Sequence, residues 1–318
     1  MSLFFDDAIC EEVVGGALRE RALGGDARLH KAFRNGADAI YRTVTLRKRQ
    51  VAFFALYQKT FRLLGHPERI EALLQEMEGE GRLPAQTYFM RVFGAEEEEA
   101  RLSPDRARLG VRIRTETFTD AARCAYFLRH EILHILDLLD PAFGCGPGAR
   151  LSADSPAEET LYRDRYRTLW DLSVDGRLER ECKLPGDVRT LRAAEFHALF
   201  PGLGTEEAER VFEALWSGPR PAHADLGRMV EGAAALCAAL GVPPPGGPEN
   251  GTGGAPGTPC PLCRFTTFEW AEPEGALAEA VRKEYPGWAP SQGLCTQCAN
   301  RYLLGAGFSL IPVESKRE

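Results

Sequence analysis

The sequence predicts an α+β fold, mainly α, and three observations carry that reading. Apolar residues recur at helical spacing over most of residues 1–241, residues 110–118 alternate with the two-residue period of a strand, and a Pro/Gly-rich run at 242–259 cuts off a short tail. The organisation expected is a helical N-terminal region 1–105, a domain 106–241, a linker 242–259 and a small C-terminal module 260–318. With 318 residues and 44% hydrophobic content, the chain can bury one or two cores.

Taken in order, RQVAFFALYQKTFRLLG has helical periodicity, and PERIEALLQEMEGEG opens near proline and closes on glycine, so both are read as helices. The acidic run Glu96 to Glu99 is read as a solvated face or loop. GVRIRTETF supplies the strand at 110–118. The next helix is capped near Thr119 or Asp120 and runs to about Asp140, where Pro141 and the glycines of FGCGPG stop it. A further helix opens at Ser155-Pro156-Ala157-Glu158, a capping box, and is expected to stop at Pro185-Gly186. TEEAERVFEALW and ADLGRMVEGAAALCAAL read as two more amphipathic helices. In the tail, FTTFEW reads as a strand and EGALAEAVRKEY as a helix, with Phe265, Phe268, Trp270, Tyr285 and Trp288 as its expected core.

Charge and cysteine usage narrow the function classes. A net charge of -7 and a pI near 5.6 argue against a phosphate backbone as the main partner, and the tail carries seven acids against six basic residues. The acidic N-terminus MSLFFDDAICEEVV is unlike a secretory signal and no apolar run reaches a membrane span, so a cytoplasmic protein without membrane contact is expected. Nine cysteines is an odd number, and Cys10, Cys124, Cys145, Cys182 and Cys237 are scattered like small buried hydrophobes. The other four form two CxxC pairs, Cys260-Cys263 and Cys295-Cys298, the spacing of a closed tetrahedral structural zinc site. A module of this size has too little core to fold unaided, so the metal is expected to stabilise it, and leftover aromatics suit a protein partner.

Residues 130–134 read His-Glu-Ile-Leu-His, which places His130 and His134 one turn apart on one helical face, where both can reach a single metal ion. Phe127, Leu128, Ile132, Ile135, Leu136 and Leu139 would bury this helix, and buried imidazoles need partners, which a metal supplies. A third ligand is offered by the following helix, where Asp171, Asp175 and Glu179 share one face. His197 and His223 are the other donors considered, and Asp137 is a possible acceptor for an imidazole N–H.

On these residues the sequence resembles the zincin metallopeptidases over about residues 105–185. The resemblance implies that His130 and His134 hold a catalytic zinc and that Glu131 is the general base toward a zinc-activated water. The run Trp-Asp-Leu-Ser-Val-Asp is similar to the pattern following HExxH in some predicted bacterial metallopeptidases, which points to Asp175 as the third ligand; Asp171 and Glu179 remain the alternatives. Tyr162, Arg163 and Tyr166 are candidates to stabilise an oxyanion, and the strand at 110–118 is expected to offer its edge to an extended peptide. The function so implied is a two-zinc metallopeptidase acting on a protein or peptide. Its rivals are a SprT-like protease acting on DNA-associated proteins and a non-catalytic, zinc-stabilised interaction protein.

Overall fold

The computed structural model describes residues 1–318 except 25–27, 79–82, 147–150, 152, 154, 155, 244–256, 274 and 309–318. Helices take 64% and strands 10%, the mainly-α α+β class expected. The chain divides into two compact units, Met1–Cys145 with Val174–Val188, and Gly146–Ser173 with Arg189–Glu318.

The first unit runs β1 (Ser2–Phe5), α1 (Asp7–Leu23), α2 (Arg28–Thr43), α3 (Leu46–Leu63), α4 (His66–Glu78), β2 (Gln86–Arg91), β3 (Glu99–Leu102), β4 (Arg108–Ile113), α5 (Thr115–Thr119) and α6 (Ala121–Leu139), then takes in the end of α7 (Pro156–Arg180). The strands form one sheet in the order β1-β2-β4-β3, with β1, β2 and β4 parallel and β3 antiparallel at the edge. The region before residue 105 is therefore not helical throughout, since it supplies three of the four strands. Leu109, Val111 and Ile113 of β4 alternate with Gly110 and Arg112 and bury one sheet face. Against it pack Ile9, Val13 and Val14 of α1, Ile70 and Leu74 of α4, and Leu128, Ile132 and Ile135 of α6, in one continuous core.

The expected strand at 110–118 ends at Ile113, and the residues beyond it turn into α5. The acidic run lies in the connection that enters β3, with Glu96 exposed and the other three carboxylates met by arginines on and just after β4. Glu97 and Glu99 pair with Arg112 at 3.2 and 3.1 Å, Glu98 pairs with Arg114 at 3.0 Å, and Glu97 also accepts from the N–H groups of Phe93 and Gly94.

In the second unit, the start of α7 is followed by α8 (Val188–Leu199), α9 (Thr205–Ser217), α10 (His223–Met229) and α11 (Ala233–Leu240). α7 stops at Arg180, short of the expected Pro185-Gly186, and ADLGRMVEGAAALCAAL forms two helices rather than one. Arg165 is 5% exposed and donates to Leu199 O and Val230 O at 3.1 and 2.9 Å, closing carbonyls left over at the ends of α8 and α10. The tail contributes β5 (Thr258–Pro259), β6 (Thr266–Thr267), β7 (Trp270–Ala271), α12 (Gly275–Glu284), β8 (Leu294–Cys295) and α13 (Thr296–Phe308). Trp288 is buried, but Phe265, Phe268 and Tyr285 are exposed, so only part of the expected aromatic core forms. Most of the linker and Ser155 of the capping box lie outside the described residues. Among the described residues no helix is long and apolar enough to cross a membrane.

Candidate metal centres

Helix α6 starts where Asp120 accepts the N–H groups of Ala122 and Arg123 at 3.0 Å, and it ends at Asp140, before Pro141. Cys124, Leu128, Ile132 and Ile135 recur at helical spacing and point it into the sheet core. At 100° per residue, Tyr126, His130, His134 and Asp137 then fall on the opposite side, where the end of α7 meets them. Two links tie these helices. Asp175, fully buried, takes His130 Nδ1 at 2.7 Å and the Tyr126 hydroxyl at 3.2 Å. Arg177 donates to both oxygens of Asp137 at 2.9 and 2.6 Å, a bidentate pair.

A carboxylate only accepts, so the contact with Asp175 puts the His130 proton on Nδ1 and leaves Nε2 with its lone pair. That Nε2 lies 3.1 Å from His134 Nε2. α7 is one unbroken helix, and one turn before Asp175 it carries Asp171. The ligand atoms of His130, His134 and Asp171 all fall within 4.8 Å of one another. Asp171 also pairs with Arg192 at 3.4 Å. Of the three carboxylates read from the sequence, Asp171 groups with the ring nitrogens, Asp175 sits on the other nitrogen of His130, and Glu179 is exposed at the helix end.

This donor set fits a small divalent cation. Two ligands at about 2.0–2.1 Å in tetrahedral geometry stand about 3.3 Å apart, close to the observed nitrogen separation. His130 and Asp171 are each 7% exposed, so their polar atoms have little water to turn to. The carboxylate behind His130 Nδ1 is also the usual support of a ligating imidazole.

Glu131 Oε2 accepts the Ala100 N–H of β3 at 2.7 Å, which fixes the carboxylate beside the sheet edge. The edge strands are β1 and β3, and β3 is the one beside Glu131; β4 pairs on both sides and has no open edge, contrary to the expectation for residues 110–118. Asp137 is engaged by Arg177 rather than standing as a lone imidazole acceptor. Tyr162 donates to Glu158, Arg163 pairs with Glu159, and the Tyr166 hydroxyl meets His223 Nδ1 at 2.6 Å, so each oxyanion candidate has a partner on hand. His197 lies against Phe196. Tyr126, which shares Asp175 with His130, is the neighbour that the sequence reading did not single out; its position four residues before His130, on the same face, is the available signal.

The second group is Cys260, Cys263, Cys295 and Cys298, whose sulfurs all lie within 4.8 Å of one another. Two of the separations are 4.0 Å, Cys260 to Cys298, and 3.8 Å, Cys263 to Cys295. Sulfurs at about 2.3 Å from a tetrahedral zinc stand about 3.8 Å apart, whereas a disulfide needs about 2.05 Å. Burial pushes the Cys260 thiol up, but the N–H groups of Cys263, Cys295 and Leu262 around its sulfur outweigh that and bring it down to about 7. Cys10, Cys124 and Cys237 are buried as expected, Cys145 is half-buried and Cys182 is exposed. Burial raises Cys10 to about 12 and Cys124 to about 11, which keeps both as thiols.

Comparison of the chain with protein-family models, with curated proteins and with solved structures gives no match.

Proposed function

We propose that the chain is a zinc metallopeptidase of zincin-like fold, with His130, His134 and Asp171 as ligands of the catalytic ion and the four cysteines as a structural zinc site. The observation that carries this is the convergence of two Nε2 atoms at 3.1 Å, one of them set by a buried carboxylate on the far side of its ring. Bound there, zinc supplies a Lewis acid that polarises a carbonyl and lowers the pKa of a water.

The chain's own residues do the rest. Asp175 holds His130 in the ligating tautomer and orientation. Glu131 anchors one oxygen on the Ala100 N–H, and the other takes the proton of the attacking water and returns it to the leaving amine. The sheet edge of β3 beside it suits an extended peptide, which would pair with the strand and pass Glu131. Asp171 replaces Asp175 as the proposed ligand because one carboxylate oxygen cluster cannot both lie behind Nδ1 and share the ion with Nε2 at the opposite side of the same ring.

A second reading is favoured by the same 3.1 Å separation, which is also a His134-to-His130 hydrogen bond. The pair would then be a metal-free structural tie, and Glu131 a strap on β3. Elemental analysis of wild type, His134→Ala and Glu131→Gln, with cleavage of a peptide library, separates the two. Expected are two zinc ions in wild type and in Glu131→Gln, one in His134→Ala, and cleavage reduced about 100-fold or more in Glu131→Gln. One zinc ion in wild type, unchanged by His134→Ala, sinks the enzyme reading; equal cleavage by wild type and Glu131→Gln removes Glu131 as base.

A further inference from the structure

The chain-wide net charge conceals a strongly basic hairpin. Residues 28–62, spanning α2 and α3, hold nine Lys and Arg against the single acid Asp38, which leaves thirty against forty-five in the rest of the chain. Arg28, Lys31, Arg34 and Arg42 of α2 and Arg47, Lys48, Lys59 and Arg62 of α3 are all exposed. Elsewhere in the same unit arginines are matched, Arg91 with Glu12 and Arg112 with Glu97 and Glu99, but among the described residues no carboxylate pairs with Lys31, Arg34, Lys48, Lys59 or Arg62. The apolar side of α2 is already used, with Leu29 and Phe33 packed on the core and Gly36 against Leu56. Its outward side is the basic one.

We propose that the outer faces of α2 and α3 dock on the phosphate backbone of duplex DNA without reading its sequence. Rigid helices hold the charges in rows of about 16 Å from Lys31 to Arg42 and about 21 Å from Lys48 to Arg62, lengths suited to a stiff polyanion with a charge about every 1.7 Å. A single strand needs aromatic platforms for its bases. Tyr41 is exposed here, but Arg49 lies over its ring at 5.4 Å. A membrane surface needs one apolar stripe to insert. The exposed Leu46, Val51 and Leu63 instead lie about 100° or more apart around α3, so they form no such stripe. The acidic remainder of the chain is repelled by DNA and turns the hairpin toward it. This inference does not depend on the metal-site reading.

The test is fluorescence anisotropy of a labelled 30-bp duplex of random sequence titrated with full-length, zinc-loaded protein from 50 to 200 mM salt. A surface neutralising about five phosphates gives a log–log salt slope near -4.5 and loses about 500-fold in affinity over that range. Lys31→Glu/Arg34→Glu and Lys48→Glu/Lys59→Glu should each weaken binding at least ~10-fold and flatten the slope by about 2, whereas Arg282→Glu/Lys283→Glu in the tail should change it less than ~2-fold. A quadruple neutral variant, Gln at Lys31, Arg34, Lys48 and Lys59, should behave as the reversals do, with circular dichroism and zinc content unchanged. Absent or salt-insensitive binding overturns the proposal. So does loss of binding in the tail variant alone, tighter binding of a 30-nucleotide single strand, or binding confined to vesicles of 30% phosphatidylglycerol in phosphatidylcholine. Dimerisation at low salt that the reversals abolish, without DNA binding, assigns the hairpin to a second copy of the chain and also overturns it.

Discussion

Asp171 and Asp175 stand one turn apart on the same helix, and substituting each separately distinguishes a metal ligand from the group that supports one. Asp175→Asn keeps an acceptor for His130 Nδ1, now at 2.7 Å, but removes the charge that strengthens that bond. Losing such support costs about 10–100-fold in metal affinity, or roughly 1.4–2.8 kcal/mol. Asp175→Ala goes further, leaving both the buried His130 Nδ1 and the Tyr126 hydroxyl without this acceptor, at about 1–3 kcal/mol each, so folding stability should drop by roughly 2–6 kcal/mol. Asp171→Asn alters the proposed ligand itself and should weaken binding more than Asp175→Asn, while its neighbour Arg192 remains paired with Glu195 at 2.8 Å. Competition with a chromophoric chelator, after the cysteine site has been saturated, gives the affinity of the labile ion, and urea unfolding gives the stability. If Asp175→Asn empties the site while Asp171→Asn leaves its affinity within ~10-fold of wild type, Asp175 is the ligand and the assignment made from the geometry is wrong.

Three further consequences are open to measurement. Burial, and next the nearby Arg69, lower His66 from 6.5 to about 4. Below pH 6.5 the unfolded chain therefore takes up a proton that the folded one refuses, so this contribution to stability is complete above pH 6.5 and is lost as pH falls toward 4. Between pH 7 and 5 the loss is on the order of 1–2 kcal/mol once solvent access to the ring is allowed for; urea melts of His66→Gln should lack it, and an identical pH dependence in both proteins would falsify the account. Cys295→Ser should lower zinc content by about one ion and open residues 257–302 to protease, because the module's core is little more than Leu277, Val281, Trp288 and Leu294 around the cysteines. Unchanged zinc content in that variant would show that the four sulfurs do not share an ion. Arg177→Met should destabilise by about 3–5 kcal/mol, since it removes the bidentate charge partner of the buried Asp137 carboxylate, and a loss under ~1 kcal/mol would mean that the pair is solvated.

The parts that were legible in the sequence are those where one local rule acts alone. Asp120 as a cap and Pro141 as a stop bounded α6, and the two CxxC spacings brought four sulfurs together. The strands β1 and β2 were missed because each is short, and in SLFF and TYFM apolar side chains occur on both faces, so no polar alternation marks them. The pairing of the acidic run was not legible because its partners, Arg112 on β4 and Arg114 just beyond it, meet it only in the folded sheet. The candidate ligand face was visible as Asp171, Asp175 and Glu179, but helical spacing is the same for all three. What separates them is which ring atom of His130 each one meets, and that depends on the depth and rotation of α7 against α6, which no local pattern encodes.

The buried carboxylates around His130 show how α6 and the end of α7 are tied. Asp137 is neutralised by Arg177 through two short bonds, and Asp171 has Arg192 at 3.4 Å. Asp175 is fully buried and accepts from the Tyr126 hydroxyl and from His130 Nδ1. A carboxylate buried this deeply is costly unless its oxygens are hydrogen-bonded, and removing one of its partners leaves a buried polar group unsatisfied. On the proposed reading, a cation held by His130 and His134 would lie across one imidazole from Asp175, the carboxylate that orients that ring. The two links between α6 and α7 would then hold the ligating ring and its supporting carboxylate in register.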